Sequence, residues 1–249
     1  MNLRHSNHLA IILVEPQTPG NIGSVARAMA NFGVGDLRLV APCDHLAPEA
    51  RKFAVGAAPL LEGAQVFEDL PSALADLTTT VAATRRRGQL RGALKNVGQV
   101  PHLLAELPAE GRLGLVFGRE DAGLTSAEVA LCTHGATIET APDLGSLNLA
   151  QAVLLFLYEC TRQSSSQPTT SEGNRPVQGE MEALFRQMEA VLGRIAFLNP
   201  RRPEGAMNVL RRIFRRANLD QRELSLLRGM WSQIAWSIRD WRGRKRGED

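Results

Sequence analysis

Apolar and polar positions alternate along this chain with two different periods, and the switches between them predict its elements. Leu9 to Val14 is an unbroken apolar run closed by Glu15-Pro16, which reads as a buried strand. The stretch Gln17 to Gly23 is polar and glycine-rich, and Val25, Ala28, Met29 and Phe32 then recur at helical spacing over Ser24–Phe32. Gly33 and Gly35 stop that helix and Leu37–Val40 forms the next strand, so the chain begins with a βαβ unit of the kind that builds parallel sheets.

The same reading makes Asp44–Gly63 partly helical, Asp69–Leu77 a short surface helix, and Thr78–Ala83, Arg112–Phe117 and Gly135–Thr140 three more strands. Thr125-Ser-Ala-Glu128 is a capping box that pins the start of a helix. The stretch Ile138 to Ala152 leaves the last strand, crosses Pro142, Asp143 and Gly145, and enters an apolar helix over Leu149–Thr161 that Ser146 or Asn148 can cap. The loops after Val14, Ala83, Phe117 and Glu139 thus share the carboxyl ends of a parallel sheet, where open α/β sheets bind ligands. They can converge on one pocket, floored by free backbone N–H groups at a helix start.

Beyond Gln163–Gly179, a polar Ser/Thr/Pro/Gly linker, helical periodicity resumes. It runs through Met181, Leu184, Phe185, Met188, Val191 and Leu192, then Val209, Leu210, Ile213 and Phe214, then Leu224, Leu227, Met230, Trp231, Ile234 and Ile238. The expected organisation is a catalytic α/β domain over 1–162, a linker over 163–179 and a helical extension over 180–249. Arg211, Arg212, Arg215 and Arg216 are placed on the polar side of the second helix, and Trp231 and Trp236 in its core.

Charge adds a functional hint. From Glu180 onward there are 15 Arg or Lys against 9 Asp or Glu, while the rest of the chain has 14 against 17. A basic module on a mildly acidic body suits a polyanion such as nucleic acid, with solvated helix faces as the alternative. Three consecutive arginines, Arg85 to Arg87, at a strand's carboxyl end suit phosphate contacts or form a solvated basic loop.

Other classes drop out. Gly20 and Gly23 do not make GxGxxG, so a dinucleotide-dependent oxidoreductase lacks its fingerprint. Cys43, Cys132 and Cys160 are odd in number and widely spaced, which argues against disulfides and structural zinc, and His5 and His8 have no further ligands nearby. No run of 18 apolar residues and no secretory leader stand out in the sequence, and a cytoplasmic protein without membrane attachment is expected.

Three segments change the weight of these readings together. Gly20-Asn21-Ile-Gly-Ser-Val-Ala-Arg27, Leu115-Val-Phe-Gly118-Arg119-Glu120-Asp-Ala-Gly123-Leu124 and Ser146-Leu147-Asn148-Leu-Ala-Gln-Ala resemble, in order and spacing, the SpoU branch of the SPOUT RNA methyltransferases. The tail, through Phe197-Leu-Asn-Pro200 and Met207-Asn-Val-Leu-Arg211-Arg-Ile-Phe-Arg215-Arg, resembles the helical extension of a tRNA (cytidine/uridine-2′-O-)-methyltransferase subfamily. The resemblance implies an α/β fold with a deep trefoil knot at its carboxyl end, a homodimer, no metal, and S-adenosyl-L-methionine as cofactor. It places the cofactor against Thr84, Gly118, Arg119, Glu120, Ile138, Gly145, Ser146 and Leu147, and the catalytic work on Arg27 with Asn21, Ser146 and Asn148. The expected substrate is tRNA, methylated on the ribose 2′-oxygen of anticodon-loop nucleotide 32, with Arg85, Arg86, Arg87, Arg211, Arg212, Arg215 and Arg216 meeting the RNA. Ribosomal RNA methylation and a non-catalytic RNA-binding scaffold are the alternatives. One departure from the family pattern is that Arg85 and Arg86 stand where small residues usually follow the threonine matching Thr84.

Overall fold

The computed structural model describes residues 7–85, 94–141, 146–162, 175–199, 201–217 and 219–239. It divides into two compact units, Met1–Glu172 and Gly173–Asp249. In the first, seven parallel strands are present among the described residues: β1 (Leu9–Val14), β2 (Asp36–Val40), β3 (Gln65–Phe67), β4 (Thr79–Ala83), β5 (Lys95–Asn96), β6 (Leu113–Phe117) and β7 (His134–Thr137), ordered β3-β2-β1-β6-β4-β7-β5. The helices are α1 (Pro19–Asn31), α2 (Pro48–Phe53), α3 (Ala58–Glu62), α4 (Leu70–Leu74), α5 (Val100–Ala105), α6 (Ser126–Leu131) and α7 (Leu149–Arg162).

β1 shows why its apolar run is unbroken. It lies between β2 and β6 with Ile11 opposite both Leu37 and Leu115. Leu9, Ile11 and Leu13 enter the core on one sheet face and Ala10, Ile12 and Val14 the core on the other, as a two-sided parallel strand requires. The two edge strands, β3 and β5, have no counterpart in the sequence reading. Each is two or three residues long, too short to show a period.

The first helix starts earlier than its periodicity indicates. Pro19 occupies the first helical turn and Gly20 to Gly23 are helical, not loop, because proline's fixed φ suits that position. A Cβ on Gly23 would run into the Ala50 carbonyl, so the glycine serves close packing of α1 on α2. At the amino ends of the strands, Arg38 is 3% exposed. It donates to Asp36 Oδ2 at 2.9 Å, Asp76 Oδ2 at 2.9 Å and the Ala73 carbonyl at 2.7 Å, with Arg112 pairing to both carboxylates. Burial works against the Arg38 charge, but the hydrogen bonds from Asp76 and Asp36 outweigh it and hold the guanidinium above its ordinary pKa.

The second unit is α8 (Gln178–Arg194), α9 (Pro203–Arg216) and α10 (Gln221–Ser237) around Leu184, Phe185, Met188, Met207 and Leu224. α10 opens with a reciprocal cap, Glu223 N to Asp220 Oδ1 at 2.8 Å and Asp220 N to Glu223 Oε2 at 2.9 Å. Two expectations for this unit are corrected. Trp236 is 66% exposed, not core, whereas Trp231 packs against the cluster. Arg211 and Arg215 are not on the polar side: both donate to the Glu182 carboxylate, and their guanidinium carbons sit 4.7 and 5.7 Å from the Phe185 ring centroid. On the same helix Leu210 and Phe214 face inward while Val209 and Ile213 are exposed.

No helix among the described residues is long and apolar enough to cross a membrane. Residues 142–145, inside the stretch expected to thread a knot, and 163–174 of the expected linker lie outside the described residues.

Candidate active site

A cavity of about 510 Å³ opens at the carboxyl ends of β4, β6 and β7. Its walls are Ala83–Arg85, the unbroken run Phe117–Leu124, Ala136–Ile138 with Thr140, and Ser146, Leu147, Leu149, Ala152 and Phe156 at the start of α7. Three of the four expected loops therefore line one pocket. The fourth, after β1, reaches it through side chains: Glu120 Oε2 accepts from Gln17 N at 2.9 Å, and its Oε1 accepts from Thr18 N at 3.1 Å and Asn21 Nδ2 at 2.9 Å.

The relay continues. Asn148 Nδ2 donates to Asn21 Oδ1 at 2.8 Å, while Asn148 Oδ1 accepts from Ala150 N at 2.9 Å. Of the two capping candidates, Asn148 makes the bond, so one side chain both caps α7 and ties it to α1. Glu120, Asn21 and Asn148 thus join all three motif segments. Burial works to raise the Glu120 carboxyl, but the bonds from Asn21, Gln17 and Thr18 prevail and hold it below the usual carboxylate range.

Arg119, next in the chain to Glu120, lines the cavity yet sends its guanidinium elsewhere. Nε donates to Glu15 Oε2 at 2.9 Å, Nη2 reaches Glu15 Oε1 and, at 3.1 Å, Glu128 Oε1, and Nη1 meets Glu128 Oε2 at 3.2 Å. Glu128 in turn accepts from Thr125 N at 2.7 Å and Thr125 Oγ1 accepts from Glu128 N at 3.2 Å, completing the expected capping box. The bonds from Glu15 and Glu128 hold the Arg119 guanidinium above its ordinary pKa.

The remaining expected site residues separate into groups. Thr84, Gly118, Ile138, Ser146 and Leu147 line the cavity, as does Arg85. A Cβ on Gly118 would overlap the backbone of Gly123 and Leu124, so this loop folds back only on glycine. Gly145, Arg86 and Arg87 lie outside the described residues. Arg27 is exposed and lines no part of the cavity. Six residues along a helix is about 9 Å of rise and about 120° of turn, so Asn21 and Arg27 lie on different faces of α1. Sequence reasoning missed Phe117, Leu149, Ala152 and Phe156, the apolar wall, whose one signal was the helical spacing of Leu149, Ala152 and Phe156. It also missed Glu15, a charge set directly after a buried strand.

A cavity of this size, with Phe117, Leu149 and Phe156 beside Thr84, Glu120 and Ser146, suits a small ligand with both apolar and polar parts. The family model for SpoU rRNA methylases matches residues 8–158 of this chain. The chain belongs to the SpoU methylase family. A second model, for the C-terminal domain of the tRNA methyltransferase TrmJ, matches residues 179–246. Among SpoU relatives, the tRNA (cytidine/uridine-2′-O-)-methyltransferase TrmJ of Photorhabdus laumondii is 34% identical over 232 residues, 91% of this chain and 96% of its own. The tRNA (cytidine/uridine/adenosine-2′-O-)-methyltransferase TrmJ of Pseudomonas aeruginosa is 32% identical over 240 residues, with 91% and 93% covered. The crystal structure of TrmJ from Z. mobilis ZM4 superposes with a TM-score of 0.81 at 37% identity over 90% of this chain and 98% of that one. The SpoU membership and the parallel α/β sheet agree with the sequence reading.

Proposed function

We propose that this chain is an S-adenosyl-L-methionine-dependent tRNA 2′-O-methyltransferase that acts in the cytoplasm on nucleotide 32 of the anticodon loop. The α/β unit supplies the chemistry, with its carboxyl end threaded as a trefoil knot, and the basic helical unit supplies tRNA affinity. The observation that carries this reading is the convergence of the three motif segments on one cavity through Glu120, Asn21 and Asn148, in a chain that keeps both TrmJ-type parts in register.

The cavity fits the cofactor on structural grounds. Its volume of about 510 Å³ is in the range of small-molecule sites, Phe117, Leu149 and Phe156 give an apolar wall for a purine, and the Gly118 loop folds back along the cavity in a turn that a Cβ would not permit. When bound, S-adenosyl-L-methionine supplies an electrophilic methyl group on a sulfonium. The protein's task is to align the ribose oxygen in line with that carbon and to take charge of the hydroxyl proton. Arg27 is the charged group for the second task. A guanidinium is a poor base at neutral pH, so its role is positioning and stabilisation of the developing alkoxide, with a substrate phosphate helping to accept the proton.

Because Arg27 lies outside its own chain's cavity, the reading includes a homodimer. α1 packs beside α7, and α7 exposes Leu154, Leu155 and Tyr158, an apolar face that a second copy would cover. Arg216, exposed, and Arg212, half-buried, are the α9 arginines assigned to RNA; Arg211 and Arg215 act through the Glu182 cluster. The test is transfer of labelled methyl from S-adenosyl-L-methionine to total tRNA and to ribosomal RNA, with mapping of the 2′-O-methylated nucleotide. Label at tRNA nucleotide 32 supports the reading, and label in ribosomal RNA alone overturns the substrate. No label with cofactor bound overturns the enzymatic reading in favour of a scaffold.

A further inference from the structure

Arg119 and Glu120 are consecutive, and both grip the segment that joins β1 to α1, in opposite electrostatic senses. Glu120 holds the backbone of Gln17 and Thr18 and the amide of Asn21, and Arg119 holds the carboxylate of Glu15. Glu15 itself is set up for this grip. Its backbone is at φ 46, the left-handed region, and its N–H donates to Val40 O at 2.8 Å. A residue with a side chain persists there only when its surroundings hold it. The other side of the Arg119 guanidinium is bound to Glu128 in α6, the helix that follows the wall run Phe117–Leu124. One planar fork therefore spans two bodies, the cavity wall Phe117–Leu124 and the entry to α1, with a bidentate geometry that lysine does not reproduce.

We propose that Glu15 is a positioning residue: through Arg119 it fixes the start of α1, and with it Asn21 of the catalytic set, relative to the wall that holds the cofactor. The two carboxylates on Arg119 then have separable duties. Glu128 stiffens the wall and so sets cofactor affinity. Glu15 touches neither cavity nor wall backbone, and sets alignment during transfer. A misplacement of about 1 Å in a reacting pair costs up to about a hundredfold in rate, so a loosened clasp is read in turnover.

This inference rests on the methyltransferase reading above, and its test keeps the two apart. Glu15→Gln, Glu128→Gln and Arg119→Lys are made in the full chain and measured for S-adenosyl-L-methionine affinity by calorimetry, single-turnover methyl transfer to tRNA, and amide hydrogen exchange. Glu15→Gln is expected to lower the transfer rate about tenfold with cofactor affinity within about twofold, and to raise exchange in residues 17–21. Glu128→Gln is expected to weaken cofactor binding about tenfold and raise exchange in residues 118–124. Arg119→Lys combines both losses, and adding Glu15→Gln to it lowers the rate no further. Equal loss of rate and affinity in Glu15→Gln, an unchanged rate, or additive losses in the double variant would overturn the proposal. If the parent chain binds cofactor but methylates no RNA, the functional reading falls; the clasp is then decided by exchange, where unchanged protection of residues 17–21 in Glu15→Gln overturns it.

Discussion

Arg119 of the α/β unit and the Arg211 and Arg215 pair of the helical unit use the guanidinium in opposite ways. In the α/β unit, Arg119 reaches between two loops and its partners Glu15 and Glu128 are spread over 113 residues of sequence position, from β1 to α6. Its ion pairs hold a cavity open. In the helical unit, Arg211 and Arg215 converge on the single carboxylate of Glu182, 6% and 15% exposed at Arg215 and Arg211 respectively, and lie over Phe185. There the arginine stems substitute for missing apolar bulk. The α/β unit also buries Arg38 against Asp36 and Asp76, so the same residue type lines a cavity at one place and serves packing at others.

This contrast can be broken most sharply at Gly118. Gly118→Ala forces a Cβ into the Gly123–Leu124 backbone and should weaken S-adenosyl-L-methionine binding about a hundredfold, equivalent to about 3 kcal/mol of overpacking, while the helical unit stays folded. Calorimetry measures the first and fluorescence the second, since all three tryptophans, Trp231, Trp236 and Trp241, belong to the helical unit. Unchanged cofactor binding would mean that the loop has room the structure denies it.

The mirror experiment is Glu182→Ala. It leaves Arg211 and Arg215 without their carboxylate and should destabilise the helical unit by about 3 kcal/mol, seen as an earlier tryptophan-detected denaturation midpoint. Cofactor affinity should not move.

Acid supplies a third comparison. The Asp76 carboxyl is held low by the Arg38 hydrogen bond, and Glu120 and Glu128 are held low by their hydrogen bonds against the opposing effect of burial. Folded values below unfolded ones mean stabilisation that is complete above about pH 4.3 and lost as pH falls through the folded values. The α/β unit should therefore be level in stability from neutral pH to about 5 and fall steeply below about 4, a course that far-ultraviolet dichroism with bound-cofactor fluorescence competition can follow. A fall already complete at pH 5.5 would contradict these shifts.

Smaller effects separate capping from RNA contact. Asn148→Ala should cost about 1 kcal/mol as a lost helix cap and additionally loosen Asn21, read as a lower Tm. On the helical unit, Arg212→Ala and Arg216→Ala should each weaken tRNA binding modestly and reduce the slope of log affinity against log salt by about 1. Arg211→Ala should change stability more than slope. A salt slope that responds to Arg211 but not to Arg212 would reverse the assignment of inward and outward arginines.

Much of this molecule was legible in residue pattern. The core strands, the α6 capping box and the loops at the strand ends all follow from local rules: apolar runs bounded by Gly and Pro, and Thr125 and Glu128 at cap spacing. So did the cavity wall at Gly118, Ser146 and Leu147, through motif resemblance. What the pattern could not decide depended on long-range partners. Leu210 and Val209 are equally apolar, and only the packing of α9 on the Leu184, Phe185 and Met188 cluster puts one inward and leaves the other exposed. Trp236 fits a core by period, but no neighbouring element covers it among the described residues. Asn21 and Arg27 look like a pair in sequence, yet the helix carries them to different faces. Glu15 shows no motif at all; it became a site residue only when β1 was laid beside β6 and Arg119 came within reach. Local periodicity sets which residues are buried, because burial is a property of a face. Tertiary structure sets which charges meet, because ion pairs depend on where separate faces are brought together.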